Sequence, residues 1–247
     1  MTAIATPLPE DVVAARDGIL AFADQEILPR HARHQALFED PRALYEEDGR
    51  FSPALRELIS EVRQSSAKAG FYQMCVPEAL GGGGLGHLAY YVAWEALFHH
   101  CGPKNWLMLY ALAHWAFGPS RLLSQLTQHA RERILPGLMD GTKSMCFGLS
   151  EPGAGSDLAA LRTTALADGD SFVVSGQKVW TSYAQHARWA ILLARTNPEA
   201  PAHRGISFLV VDMEEPGIEV RPLRQLDGST DFNEVFLDSV RVPRDNL

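Results

Sequence analysis

Up to about residue 140 the apolar positions recur at helical spacing, and beyond it they alternate. Val12, Ile19, Phe22, Ile27 and Leu28 fall along one face of a first helix. Ser52-Pro53 offers an N-cap residue followed by proline at the first helical position, so a second helix starts there and buries Leu55, Leu58, Ile59 and Val62. Leu88, Tyr91, Val92, Glu95 and Phe98 mark a third. The run 105–117 is apolar nearly all round, which predicts a buried central helix. Pro119 and Thr127 open two further short helices, which end before Asp140-Gly141.

From there the period is two, with β-branched and aromatic runs separated by Gly, Pro and Asp turns. Strands are predicted over 144–150, 162–167, 171–181, 189–196, 205–211, 218–222 and 234–242. Asp168-Gly169-Asp170 is a hairpin turn signal, and 197–203, with two prolines, is a surface loop. Helices first and strands second give an α+β chain rather than an alternating βαβ one. The expected architecture is an N-terminal α-helical domain (1–140) followed by a small antiparallel β-barrel or sandwich domain (141–247).

Composition narrows the function classes. With 247 residues and 46% hydrophobic content the chain can bury a core. Its formal charge of −8, from 22 Lys+Arg against 30 Asp+Glu, gives no electrostatic reason to expect nucleic acid or an anionic membrane. Cys75, Cys101 and Cys146 are odd in number and lack a CxxC spacing, which suits reduced thiols better than disulfides or zinc. Glu10, Asp11, Asp17, Asp24 and Glu26 argue against a signal or transit peptide. The most apolar stretch, 106–117, contains His114 and is too short to span a bilayer. A cytoplasmic protein is expected.

Several motif-like features dissolve on inspection. Gly81, Gly83 and Gly86 satisfy G-x-G-x-x-G, but without a preceding strand they read as a flexible interhelical turn. Ser175 and Lys178 spell S-x-x-K, a pair that needs a helix; on a strand an offset of three sends the side chains to opposite faces. His99, His100 and Cys101 diverge around a helix end, with no carboxylate at ligand spacing, so no metal is expected. His114, amid Trp106, Tyr110 and Trp115, reads as a core histidine with a hydrogen-bond partner.

The informative segment is Phe147-Gly148-Leu149-Ser150-Glu151-Pro152-Gly153-Ala154-Gly155-Ser156-Asp157. It leaves an apolar strand and enters a turn of glycine and small residues, which frees backbone N–H groups to face an electron-rich ligand. An ordinary tight loop has the same composition, so composition leaves both readings open. The segment resembles the signature of the acyl-CoA dehydrogenases, T/S-E-P-x-A-G-S-D after an apolar strand end. Three further blocks resemble the same family: Gly176-Gln177-Lys178-Val179-Trp180-Thr181-Ser182-Tyr183, the stretch from Val76 to Gly84, and the strand from Phe236 to Pro243.

The resemblance implies FAD as cofactor, with the flavin's pyrimidine edge against Phe147, Leu149 and Ser150. The Leu149 and Ser150 amides and the Ser150 hydroxyl would stabilise negative charge near N1 and O2. It further implies that Trp180 covers the ring system and that Ser182 offers a donor to N5. Ser182 stands where the family usually has Thr, so the hydroxyl is kept and the β-branch lost. Ser156 matches a position near both FAD and the CoA portion of the substrate. Two departures stand out. The family's catalytic glutamate lies on a C-terminal helical domain, so the general base is expected beyond residue 247, and Glu151 and Glu95 match no base position. The segment 38–51 is longer than usual between the first two helices, and reads as a solvated loop.

The activity implied is α,β-desaturation of an acyl-CoA thioester, as in fatty acid β-oxidation, with electrons passed to an electron-transferring flavoprotein. The assembly implied is a homo- or hetero-oligomer, dimeric or tetrameric. Two alternatives stay open: a non-catalytic partner subunit of a heteromeric dehydrogenase, and a flavin monooxygenase on the same scaffold.

Overall fold

The computed structural model describes residues 7–114 and 116–247; residues 1–6 and Trp115 lie outside it, and with them one aromatic of the 105–117 run. The first predicted helix is built in three pieces: α1 (Glu10–Phe22), one π turn (Ala23–Ile27) and α2 (Leu28–Arg33). The π turn answers the spacing of the sequence. Phe22 and Ile27 are both buried, yet five positions set them about 140° apart on a regular α-helix. Widening one turn brings Ile27 back over the core. After a short α3 (Gln35–Glu39), α4 (Pro53–Lys68) starts at the expected cap, where the Ser52 hydroxyl accepts from the Leu55 N–H. It buries Leu55, Leu58, Ile59 and Val62, as the spacing predicts.

The third helix forms where expected, and one helical expectation, the 105–117 helix, is overturned. On α5 (Gly86–Cys101) the core face is Ala89, Ala93 and Leu97, whereas Leu88, Tyr91 and Phe98 face solvent. The small alanines allow close packing against α1, and so the bulkiest apolar side chains are left outside. The described residues of the 105–117 run are mostly buried but do not form an α-helix: a 3-10 turn (Trp106–Tyr110) is followed by irregular backbone up to His114. Its backbone groups are satisfied from outside, the Ala111 carbonyl by the Ser66 hydroxyl and the Ala113 N–H by the Tyr72 carbonyl. Tertiary hydrogen bonds have replaced helical ones. Farther on, Ser120 rather than Pro119 caps a 3-10 turn (Arg121–Gln125), and Thr127 caps α6 (Gln128–Met139).

The glycine turn before α5 joins helices as expected, but it is packed rather than flexible. A Cβ on Gly82 would sit 2.2 Å from the Val76 carbonyl oxygen, and one on Gly83 2.6 Å from that of Met74. Among the described residues no helix is long and apolar enough to cross a membrane.

Seven strands follow at the predicted places: β1 (Met145–Gly148), β2 (Thr164–Asp168), β3 (Ser171–Ser182), β4 (Trp189–Arg195), β5 (Ile206–Asp212), β6 (Ile218–Leu223) and β7 (Phe232–Pro243). They form one curled sheet, which is mixed rather than wholly antiparallel. β4 pairs along its length with antiparallel β5, while its other edge is shared by parallel β1 and, at Arg195, by parallel β2. The burial of β4 explains its unalternating sequence. Ala190, Leu192 and Ala194 fill the sheet's own core, and Trp189 and Ile191 pack with Leu123, Ile134 and Leu138 of the helical layer.

The segment 38–51, expected to be a solvated loop, is a clasp between the two layers. The Tyr45 hydroxyl donates to Asp231 at 2.7 Å, the Gly49 carbonyl accepts from Thr230 at 2.6 Å, and the Phe51 N–H donates to His186 Nε2 at 3.2 Å. Phe51 and His186 also stack at 4.2 Å. Gly49 is at φ +81°, and a Cβ there would meet Pro222 at 2.7 Å, so this position needs glycine.

The outward face of α5 carries a first expected result. Tyr91 is 66% exposed beside Leu88, and clustered exposed apolar groups drive association. The 247-residue chain should show a concentration-dependent apparent mass by light scattering, and Leu88→Glu with Tyr91→Glu should restore a monodisperse monomer. An unchanged profile in the double variant would assign any association to another surface.

Candidate functional site

The site is assembled where β1 leaves the sheet. Glu151 and Ala154 exchange both backbone hydrogen bonds at 3.0 Å, closing a tight turn over Pro152-Gly153. Gly153 and Gly155 have open space where a Cβ would stand. The turn is held by one carboxylate. Glu151, 7% exposed, accepts from the Arg162 N–H (2.6 Å), the Thr163 N–H (2.9 Å), the Thr163 hydroxyl (2.5 Å) and the Lys178 ammonium (2.8 Å). Burial raises its pKa, but the bonds from Lys178, Thr163 and Arg162 outweigh burial and hold it below the ordinary carboxylate range. Four donors on one carboxylate leave it unsuited to removing a substrate proton.

Lys178 is fully buried. Burial lowers its pKa, and Glu151 opposes that shift. Its ammonium also donates to the Leu149 carbonyl at 3.1 Å, and the neighbouring Val179 N–H donates to the Ser150 carbonyl at 2.9 Å. The two glycine-flanked motifs are therefore interlocked strand to turn. Ser175 lies apart from Lys178, accepting from the Ser239 N–H at 3.1 Å, so the S-x-x-K pair is not formed.

Beyond Lys178, β3 bulges. Lys178 pairs with Val235 and Thr181 with Asn233, so three steps on β3 oppose two on β7. The bulge reverses the parity of the strand. Phe172, Val174 and Lys178 face inward, and simple alternation would bury Trp180 as well; instead Thr181 is buried and Trp180 is 62% exposed. Trp180 takes φ +61° and Tyr183 φ +54°, a left-handed conformation uncommon for non-glycine residues and costly for bulky ones. Phe232 supports the indole edge-on at 6.0 Å. Ser182 lies half-buried between the two strained residues, opposite Phe232 on β7.

The structure thus joins Leu149 and Ser150 to the Trp180–Ser182 end of β3. Phe147 is half-buried against the cluster that faces the helical layer, and Leu149 packs beside Leu161 and Leu193. Ser156 lies exposed just past the turn. The site is an open face, not a cavity. A cleft of about 500 Å³ lies elsewhere, between α4 and the start of β4, lined by Phe51, Arg63, Tyr110, Lys143, Tyr183 and His186. Among the described residues no cluster of His, Cys, Asp or Glu is placed to hold a metal. His100 is engaged with Asp24 at 2.6 Å, and His114 Nδ1 accepts from the Ala116 N–H at 3.1 Å while the ring stacks on Phe117. The buried Glu151–Lys178 lock was missed by the sequence reading, although the inward alternation Phe172, Val174, Gly176 already pointed Lys178 into the sheet.

Among solved structures, the ChsE4-ChsE5 complex from Mycobacterium tuberculosis superposes with a TM-score of 0.74 at 28% identity, over 98% of this chain and 57% of the matched chain. An acyl-CoA dehydrogenase from Geobacillus kaustophilus superposes likewise, with a TM-score of 0.71 at 27% identity over 100% of this chain and 59% of the matched chain, which defines the class: a helical layer and curled sheet of the acyl-CoA dehydrogenase type. Sequence comparison is more specific. The family models "Acyl-CoA dehydrogenase, N-terminal domain" and "Acyl-CoA dehydrogenase, middle domain" match residues 9–142 and 146–240. The chain belongs to the acyl-CoA dehydrogenase family. Similar curated proteins from Mycobacterium tuberculosis include the acyl-CoA dehydrogenases FadE34, 52% identical over 52% of this chain, and IpdE1, 40% identical over 74%. The alignments span 18% and 46% of those two proteins, so the chain covers half of their length or less.

Proposed function

We propose that this chain forms the flavin-binding face of an acyl-CoA dehydrogenase acting on an acyl-CoA thioester. The observation that carries this reading is the interlock of the Ser150–Ala154 turn with a strand whose bulge turns Trp180 outward in a strained conformation. An exposed aromatic platform beside half-buried hydroxyls and a turn with open space suits a flat, electron-rich ring, so the residues present fit FAD. When bound, FAD would supply the acceptor for a hydride from the substrate's β-carbon. In this reading Trp180 covers the ring, and the Leu149 and Ser150 amides with the Ser150 hydroxyl are fixed donors toward its pyrimidine edge. The Ser182 hydroxyl is a donor beside the redox-active region, and Ser156 and Phe147 border the cofactor, with Ser156 also toward CoA. Fixed donors act without reorganising, which is the source of their effect.

Proton removal needs another group, because Glu151 is committed to four hydrogen bonds. A positioned base contributes about 10²–10⁴-fold, and we assign it to a carboxylate outside these 247 residues, in the same protein or in a partner subunit. The partner reading is favoured by the exposed apolar face of α5. An electron-transferring flavoprotein is the proposed electron acceptor. The test is anaerobic mixing of the FAD-loaded chain with a panel of acyl-CoAs while flavin bleaching is followed. The chain alone should bleach at least a hundredfold more slowly than a mixture with a base-bearing dehydrogenase partner. Rapid bleaching by the chain alone would place a base within it, and absence of FAD binding at any protein concentration would overturn the flavin reading.

A further inference from the structure

Lys178 and the Leu149 carbonyl make a contact whose consequence lies on the far side of one peptide bond. The carbonyl of Leu149 and the N–H of Ser150 belong to the same planar unit, which is trans here. An ammonium donating to that oxygen at 3.1 Å withdraws electron density from the unit and makes the Ser150 N–H a stronger, better-aimed donor. The next unit is fixed as well, since the Val179 N–H holds the Ser150 carbonyl at 2.9 Å. Glu151 completes the device. It balances the buried charge of Lys178 and ties it, through Thr163, to the segment leading into β2, which holds the ammonium against the carbonyl.

We propose that Lys178 is a positioning residue, which polarises the Leu149–Ser150 peptide so that the Ser150 N–H favours the reduced, anionic form of the flavin, with Glu151 as its counter-charge. This rests on the flavin reading given above. It assigns to the pair a role beyond holding the turn, because the two charges act on the flavin with opposite sign. Removing the cation leaves an uncompensated carboxylate and a weaker Ser150 donor, which both disfavour an anionic flavin. Removing the anion while keeping its shape leaves the cation in place, which favours it.

The experiment has two arms on the 247-residue chain. In the first, dissociation constants for oxidised and dithionite-reduced FAD are measured for the native chain, Lys178→Met and Glu151→Gln. Lys178→Met should lower the preference for reduced FAD about tenfold, equal to about 30 mV for a two-electron couple, and Glu151→Gln should raise it. A purely structural lock would weaken both forms of FAD equally in both variants, and that result overturns the proposal. In the second arm the amide resonance of Ser150 is followed without FAD. Lys178→Met should move its proton upfield and speed hydrogen exchange across residues 150–154, and an unmoved resonance overturns the polarisation. This arm decides the peptide effect whether or not FAD binds, so a failure of the flavin reading is seen separately, as absence of binding by the native chain. Glu151→Gln is nearly isosteric, and if Lys178→Met does not fold, as judged by circular dichroism, the opposite shift expected of it in the first arm keeps the proposal falsifiable.

Discussion

Trp180→Gly should bind FAD about a hundredfold more weakly than the native chain and yet melt at the same temperature or slightly higher. The two halves of that result come from different physics. A large aromatic that anchors a ligand typically carries about 2–4 kcal/mol of binding free energy, and Trp180 is largely exposed, with Phe232 edge-on to its ring. Its removal therefore opens no cavity in the sheet core. The backbone is at φ +61°, where glycine is free of the strain that a tryptophan bears. Relief of that strain offsets the greater freedom glycine gives the unfolded chain. Trp180→Phe keeps an aromatic face and should lose about tenfold or less. FAD titration by fluorescence quenching, with thermal melts of the same samples, checks both parts. Unchanged affinity in Trp180→Gly would remove this residue from the flavin site, and a large drop in melting temperature would show that it belongs to the core.

The clasp between the helical layer and the sheet should loosen as pH falls from about 6.5 toward 4. His186 is buried and its pKa is lowered to about 4, chiefly by burial and further by Arg56, Arg50 and Arg63. Its Nε2 accepts from the Phe51 N–H, so the folded state requires that nitrogen to be unprotonated. A histidine whose folded pKa lies below its unfolded value binds more protons when unfolded. Its stabilisation is complete above the unfolded value and is lost as pH falls toward the folded one. Taken over the whole interval the loss is about 3 kcal/mol. His186→Phe keeps a ring on Phe51 but strands the Phe51 N–H, so it should be less stable than the native chain at pH 7 by about 1–2 kcal/mol. Because it does not titrate, the gap should close as pH falls through about 5 and reverse by pH 4, where the loss from His186 exceeds the cost of the stranded N–H. Chemical denaturation of both chains across that range measures the gap, and a constant difference would show that His186 does not carry this pH dependence.

The candidate site was legible to different depths. The signature turn from Ser150 to Asp157 and the Trp180 block could be recognised from order and residue type, and the strand bearing each was placed correctly. That Trp180 points outward could not be read. Alternation from Phe172 and Val174 sends even positions inward, and only the extra residue between Lys178 and Thr181, relative to β7, reverses it. A bulge is a mismatch between two strands, so it is a property of the pair and not of either sequence segment. Lys178 is the converse case. Its inward parity was readable, but its partners Leu149 and Glu151 come from 27 to 29 positions away and were fixed only by folding.

By itself the sequence determined where α4 and α6 begin, where the seven strands lie, and the order of helices before strands. Those features depend on caps, turn residues and periodicity, which act between residues a few positions apart. Tertiary structure alone decided the rest. It chose the alanine face of α5 over its aromatic one, because α1 packs close to it. It unwound the 105–117 run, because Ser66 and Tyr72 offered its backbone other partners. It made the 38–51 segment a clasp, because Asp231, Thr230 and His186 stand opposite it in the fold. In each case the winning interaction joins groups far apart in sequence, whose proximity no local pattern encodes.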